Sequence, residues 1–263
     1  MTEQQKSDYE AHGYLLLEDA LDATALDRTR QAFDAAQDLE DLPNQNPIFI
    51  HLAEHDAFFP HVHRVIGDVI QLRSVEGRRI APDDPGQAWQ KGTDGMLGVH
   101  HALSTVGVEV VIHLDDVTQT SACLSVVPAS HRFKTDLPLP DVNTIEEMPH
   151  HVPLCVKAGT AILSHANIWK ACTRNQGDTT QRSIVYTYNH CWMRQALPDL
   201  SPEGVDTIAE SHNLSQLFGI DPDVSHASKY WSRSVEGYPS SKGLPDRKFA
   251  ERKVVGQGVK PNR

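Results

Sequence analysis

No run of apolar residues in the 263-residue chain approaches the ~18–20 needed to cross a bilayer. The polar start, MTEQQKSDYE, lacks the apolar stretch of a secretory signal. Basic charge is also short. Against 35 Asp and Glu stand 24 Lys and Arg, a formal net charge of -11, which argues against a nucleic-acid or anionic-membrane surface. The stretch from Arg247 to Arg263 is the one basic exception and reads as a solvated tail. Aromatic residues make up only 6%, and the four cysteines, Cys123, Cys155, Cys172 and Cys191, form no CxxC pair. Without a secretory signal they read as reduced thiols, and the expected location is the cytoplasm. No internal repeat or low-complexity segment is present. What the chain has in quantity is histidine, 15 of them, which raises a metal site as the hypothesis to test. The length fits one large domain or two small ones.

The hydrophobic pattern predicts helices in front and strands behind. His12–Leu17 is a short apolar run after a polar lead, fit for an opening strand. Asp22 is placed to cap a helix with Leu26, Thr29, Ala32, Phe33 and Ala36 on one face, ending before Pro43. A second helix is predicted over Phe58–Ile66, with Gly67 as its stop. From Val69 the period changes to two. Val108, Val110, Ile112 and Leu114 fall on one strand face, and Glu109, Val111 and His113 on the other. Further strands are predicted at Val69–Leu72, Leu124–Val127, Val152–Val156, Thr160–Leu163 and Ser183–Tyr188. The fold class expected is mainly β with helical cover, a β-sandwich or jelly roll. One domain is expected over 1–198. Residues 199–263 read as a helix and loop extension of it, helical over Val205–Phe218.

Several segments together resemble the phytanoyl-CoA dioxygenase family, iron(II)/2-oxoglutarate oxygenases on a double-stranded β-helix, a cupin-like jelly roll. Tyr9–Tyr14 is similar to the family's opening Gly-Tyr segment, and Phe59–Gly67 to the helix before its first core strand. The most specific block is Leu114-Asp115-Asp116-Val117-Thr118 followed by Ala122-Cys123-Leu124-Ser125-Val126-Val127-Pro128-Ala129-Ser130-His131. It is close to the family's LDDVT…GCLxVxPGSH, with Ala122 and Ala129 where Gly is usual. Gly159, Trp169, Asn175 and Arg182-Ser183 follow in the order of the last core strands. The resemblance spans roughly residues 9–192.

The resemblance implies an iron site held by a His-x-Asp pair and one later His, a facial triad with open positions for 2-oxoglutarate and oxygen. This sequence departs from it. Lys170 follows Trp169, where the late His is due, and a protonated lysine has no lone pair for a metal. For the early pair, Trp89-Gln90-Lys91-Gly92 matches the family's spacing and would replace both ligands. The alternative, His100-His101-Ala102, reads as His-x-Ala, the form that resembles the iron halogenases. At most one of three ligands survives. What the family pattern retains is Arg182 with Ser183, the pair that would hold the far carboxylate of 2-oxoglutarate; the plain alternatives are that Arg182 pairs with an Asp or Glu, or binds a substrate carboxylate.

Other candidates follow from position. Lys170, His113, Glu109 and His101 are the candidate catalytic residues, with Glu109 and His113 on one strand face fit for an acid/base pair. The structural alternatives are a hydrogen-bonded, inert His113 and a Lys170 whose ion pair fills the site. His100 and His165 are candidate ligands only if a metal is bound. His51, His55, His61 and His63 read as surface or capping residues outside the barrel, and His131 as part of a structural turn.

Three functions stay open. The first is a small-molecule enzyme of specialised metabolism that has lost the iron triad. It would carry out a redox-neutral isomerisation, cyclisation or elimination, and no cofactor is favoured for it. The second is an oxygenase or halogenase with an atypical metal site, using Fe(II) and 2-oxoglutarate. The third is a non-catalytic partner subunit of an active paralogue. The partners these readings imply are a small-molecule substrate, and either a homodimer or a heterodimer with a homologous oxygenase. No nucleic acid or membrane is expected.

Overall fold

Thr2 and Gln5 cap each other's backbone in a reciprocal box that starts α1 (Glu3–His12). Gly13 ends it at φ 86, where its N–H bonds Tyr9 and a Cβ would lie 2.4 Å from the His131 ring. β1 (Tyr14–Leu17) follows, then α2 (Ala23–Ala35), opened as expected by the Asp22 side chain accepting from Ala25 N–H. Two short helices come next, α3 (Leu42–Gln45) and α4 (Pro47–His51), followed by α5 (Phe59–Ile66). The strands are β2 (Ile70–Ile80), β3 (Gln87–Gln90), β4 (Gly107–His113), β5 (Leu124–Val127), β6 (Val152–Pro153), β7 (Ala161–His165), β8 (Trp169–Cys172) and β9 (Gln181–His190). Helices α6 (Pro202–Ala209) and α7 (His212–Leu217) follow. This is a computed structural model, and it describes residues 1–92, 105–133, 137–191 and 193–219.

The strands form two antiparallel sheets, β1-β7-β4-β9-β2 and β3-β8-β5-β6, which is the jelly-roll arrangement expected. Strand alternation assigns three layers. The outward face of the large sheet carries Val108, Val110, Ile112, Ile184, Tyr186 and Tyr188, packed with Phe33, Phe49 and Phe58 of the helical cover. Tyr186 and Tyr188 hydroxyls, both fully buried, donate to the carbonyls of Phe49 and Ala53 at 2.8 and 2.7 Å, tying the helices to the sheet. Between the sheets lie Val111, Val126, Ile162, Ile168 and Val185. The outward face of the small sheet holds Trp89, Val127, Met148, Trp169 and Ala171. The even positions of β4 face the helices and the odd ones the barrel, as the sequence periodicity requires.

Several boundaries differ from the sequence reading. β2 runs ten residues beyond Ile70 instead of ending at Leu72, because its far half pairs β9 in register from Ser74 to Ile80. The strand expected at Val152–Val156 keeps only two residues. The helix expected at 205–218 breaks in two, since Ser211 caps α7 afresh. Ile208, Leu214, Leu217 and Phe218 join the main core, so the described part of the extension packs on the barrel. Among the described residues no helix is long and apolar enough to cross a membrane.

Candidate active site

β8 is held by its ends and its outer face. The Trp169 N–H donates to Ser130 Oγ at 2.8 Å, and the Trp169 ring packs edge-on against Phe133 at 5.1 Å. With Trp169 and Ala171 turned outward, Lys170 and Cys172 turn into the barrel. Facing them from the large sheet is Glu109, on the same face as the inner-core residue Val111. Lys170 Nζ donates to Glu109 Oε2, an ion pair that links the two sheets across the barrel. The side chains are 17% and 15% exposed, so the pair is mostly desolvated and still reachable. In register, Glu109 stands between Ser164 of β7 and Thr187 of β9, and Lys170 between Val126 of β5 and Gln90 of β3.

Further along the same inner face a second polar row forms. Ser183 pairs in register with His113 on one side and with Arg78 on the other, so β2, β9 and β4 set the three side by side. Burial, then the nearby Arg78 charge, push the His113 imidazole down to about 4, with Asp115 pulling the other way. Its Nε2 is buried without a hydrogen-bond partner. Gln181, two residues before Ser183, likewise has a buried Oε1 without a partner. Across from them burial pushes the Cys172 thiol up to about 11, and Arg78 opposes that shift.

The sequence-derived site is corrected at several points. Arg182 has the parity of Ile184 and points to the helical side, away from the barrel. Its Nε and Nη2 bind Asp115 at 3.1 and 2.7 Å, and its Nη1 binds both oxygens of Asp34 at 2.9 and 2.7 Å. Of the readings of Arg182, as a holder of a 2-oxoglutarate or substrate carboxylate or as the partner of an Asp or Glu, the structure has the ion pair, and its guanidinium is engaged in fastening α2 to the sheet. Only Ser183 of that pair faces inward. Glu109 pairs with Lys170, so the Glu109–His113 pair expected from their shared face does not form; they are four residues apart on the strand. His165 shares the outward parity of Ala161 and Leu163, stacks 5.0 Å from the His131 ring and accepts the Asn167 N–H. It does not reach the barrel interior as a ligand. His63, expected at the surface, is 4% exposed, with Nε2 3.6 Å from Asp68. His100 and His101 lie outside the described residues. Sequence reasoning missed Arg78, since an arginine deep in a strand that looked four residues long carried no signal.

The positions that would carry the facial triad can be tested directly. Gln90 and Lys170 are direct register partners, so Trp89-Gln90-Lys91-Gly92 lies beside the strand on which the resemblance expects the late ligand. Gly92 leaves no room for a carboxylate, because a Cβ there would lie 1.4 Å from the Ala166 carbonyl oxygen. The three described positions therefore supply an amide, no side chain, and an ammonium bound to Glu109. In that placement they do not fit an iron triad, and among the described residues no group of three His, Cys, Asp or Glu is arranged to hold a metal; the alternative placement at His100-His101-Ala102 falls outside the described residues. Clefts of about 620 and 720 Å³ open on outer surfaces, one around Asp116 and Lys157 and one between α2 and α4, away from the ion pair.

Known structures share this fold at low identity. HygX from Streptomyces hygroscopicus, solved with nickel, 2-oxoglutarate and hygromycin B, matches with a TM-score of 0.67 at 16% identity over 74% of this chain and 90% of its own. SnoN, a non-heme alpha-ketoglutarate-dependent epimerase of nogalamycin biosynthesis, gives 0.58 at 17% identity over 76% of this chain and 95% of its own. The carbocyclase SnoK of the same biosynthesis gives 0.60 at 16%, over 72% and 84%. No curated protein matches the sequence significantly. The family model for phytanoyl-CoA dioxygenase (PhyH) matches residues 9–183, two thirds of the chain, and with the jelly roll already in place the chain belongs to that family.

Proposed function

We propose that this protein is a small-molecule enzyme of specialised metabolism that carries out a redox-neutral proton transfer, leading to isomerisation, cyclisation or elimination. The observation that carries the reading is the Lys170–Glu109 pair set inside the barrel, at the strand position where the resemblance to the family puts the late iron ligand. An ammonium and a carboxylate at one point supply a proton donor and a proton acceptor together. With a substrate between them, the Glu109 carboxylate takes a proton from carbon, and the Lys170 ammonium stabilises the negative charge that develops on a neighbouring oxygen. The proton then returns to another carbon, or a leaving group departs. No oxidant is consumed. Ser164 and Thr187 flank Glu109 and orient the substrate through their hydroxyls. SnoN and SnoK, described as an alpha-ketoglutarate-dependent epimerase and carbocyclase, support the coarser part of the reading alone, a small-molecule enzyme of specialised metabolism.

The test is a metabolite extract incubated in D₂O with EDTA and read by mass spectrometry. Wild type is expected to place deuterium on carbon, or to form an isomer, in at least one small molecule. Lys170→Met and Glu109→Gln are expected to abolish this. Activity that disappears with EDTA and returns with Fe(II) would overturn the reading in favour of an atypical oxygenase that draws on His100 or His101.

A further inference from the structure

Cys123 and Cys155 take no part in the chemistry above. Cys123 stands just before β5 and Cys155 just after β6, and these strands pair Val126 with Val152 and Ser125 with Pro153. The Leu154 N–H donates to the Leu124 carbonyl at 2.8 Å, which extends the register by one residue and sets Cys123 opposite Cys155. Hydrogen-bonded and non-hydrogen-bonded pairs alternate along an antiparallel ladder, so beside the bonded pair of Leu124 and Leu154 the two cysteines form a non-hydrogen-bonded one. Two observations agree. Pro153, which has no N–H, occupies the other non-hydrogen-bonded place, and the Cys123 N–H donates to Thr173 Oγ1 at 2.9 Å instead of across the ladder. In such a pair the Cα atoms stand about 4.5 Å apart, within the roughly 4.4–6.8 Å that disulfides span. The two Sγ atoms are 3.9 Å apart, so rotation of the side chains brings them together without moving the strands.

The thiols differ in what they meet. Cys155 is exposed and lines the cleft of about 620 Å³ with Glu18, Asp19, Asp116 and Lys157. Three carboxylates against one ammonium disfavour an anionic oxidant there and leave a neutral one unhindered. Cys123 is 1% exposed among the inner-core residues Val126 and Leu154, and burial pushes its thiol up to about 12. The exposed sulfur is therefore the one an oxidant reaches first, and the buried one waits beside it.

We propose that Cys123 and Cys155 are a reversible redox pair that closes into a disulfide when a peroxide enters the cleft. The Cys155 thiolate attacks one oxygen of hydrogen peroxide and the O–O bond breaks. Cys155 becomes a sulfenic acid, and the departing hydroxide takes up the thiol proton as water. Cys123 Sγ then attacks Cys155 Sγ, the S–O bond breaks, and the Cys123 proton leaves with the hydroxyl as a second water. The thiols give up one electron pair, which reduces the peroxide, and a thiol reductant reverses the bond. The disulfide joins positions 32 residues apart. The segment between them includes Met148, which packs with Trp89 and Trp169 on the outer face of the small sheet. β6 is a two-residue edge strand, so the bond adds a covalent hold to that edge. The inference uses neither Lys170 nor Glu109 and does not depend on the acid/base reading.

The test treats the full chain, reduced and then freed of reductant, with hydrogen peroxide at about 1 mM, followed by alkylation, digestion without reduction and mass spectrometry. A peptide linking Cys123 to Cys155 is expected, with a melting temperature at least about 5 °C above that of the reduced chain, both reversed by dithiothreitol. Cys172→Ser and Cys191→Ser are expected to link as wild type does. Cys123→Ala is expected to stop at the sulfenic acid on Cys155, which dimedone captures, and Cys155→Ser to give neither the bond nor that adduct; circular dichroism checks that each variant folds. A folded wild-type chain that yields no linked peptide, that joins Cys123 to Cys172 instead, or that melts no higher when linked overturns the proposal. Dimedone capture on wild-type Cys155 at the level seen in Cys123→Ala overturns it too, since Cys123 then fails to resolve the sulfenic acid.

Discussion

Lys170→Met removes one charge of a pair that the fold holds 17% and 15% exposed, and it leaves the Glu109 carboxylate between Ser164 and Thr187 with no cation. Taking away one partner of a buried pair costs about 3–5 kcal/mol, because the survivor stays desolvated and uncompensated. Residual solvent access here places the loss at the lower end, about 3 kcal/mol. At roughly 2–4 °C per kcal/mol for a chain of this size, the melting temperature is expected to fall by about 6–12 °C. Adding Glu109→Leu removes the stranded charge, and the double variant is expected to recover most of the loss, since apolar replacement of a buried pair is often neutral. Urea or thermal unfolding followed by circular dichroism at pH 7 reads all four corners of the cycle. If the single variant lies within about 0.5 kcal/mol of wild type, or the two singles simply add, the pair is not coupled across the barrel and the site is wrongly built.

Three further outcomes follow from the same geometry. The folded chain holds His113 neutral down to about 4, while the unfolded side chain takes up its proton near 6.5. Its contribution to stability is therefore full above about 6.5 and drops by about 3 kcal/mol as the pH falls to about 4, at about 1.36 kcal/mol per unit; unfolding of His113→Gln across that range should show a shallower slope, and an identical slope would refute the assignment. Arg182→Gln frees Asp115 and Asp34 and loosens α2, for a loss of about 1.5–3 kcal/mol in chemical unfolding. Gly92→Asp puts a side chain where the Ala166 carbonyl already stands, so Gln90→His, Gly92→Asp and Lys170→His combined are expected to unfold earlier than wild type and to bind iron substoichiometrically by elemental analysis.

Much of the architecture was legible in the residues. The period-two run at Val108–Leu114 gave the face of every side chain of β4, and Asp22 gave the start of α2, because burial on one side and an orphan N–H on the other leave few choices. The block from Leu114 to His131 gave the family. Lys170 stood out because the resemblance expects a histidine ligand there, and an ammonium has no lone pair for a metal. What stayed hidden depends on pairing between distant strands. Glu109 and Lys170 are 61 residues apart, and nothing local says that Glu109 meets Lys170 before His113. Arg182 looked like an anchor by its place in the order of motifs, yet one residue of register decides which side of β9 it faces, and Asp34 waits on the outer side. Arg78 was invisible for the same reason, since its strand is defined by β9 and not by its own pattern.

The most direct measurement is the iron content of the full chain purified from iron-supplemented cells under reducing conditions, with succinate formation from 2-oxoglutarate followed on the same sample. Iron well below one per chain, with no succinate above background before or after Fe(II) is added, is the result expected of a barrel whose ligand strand carries Lys170. One iron per chain with 2-oxoglutarate turnover would contradict it, and would return the site to oxygen chemistry.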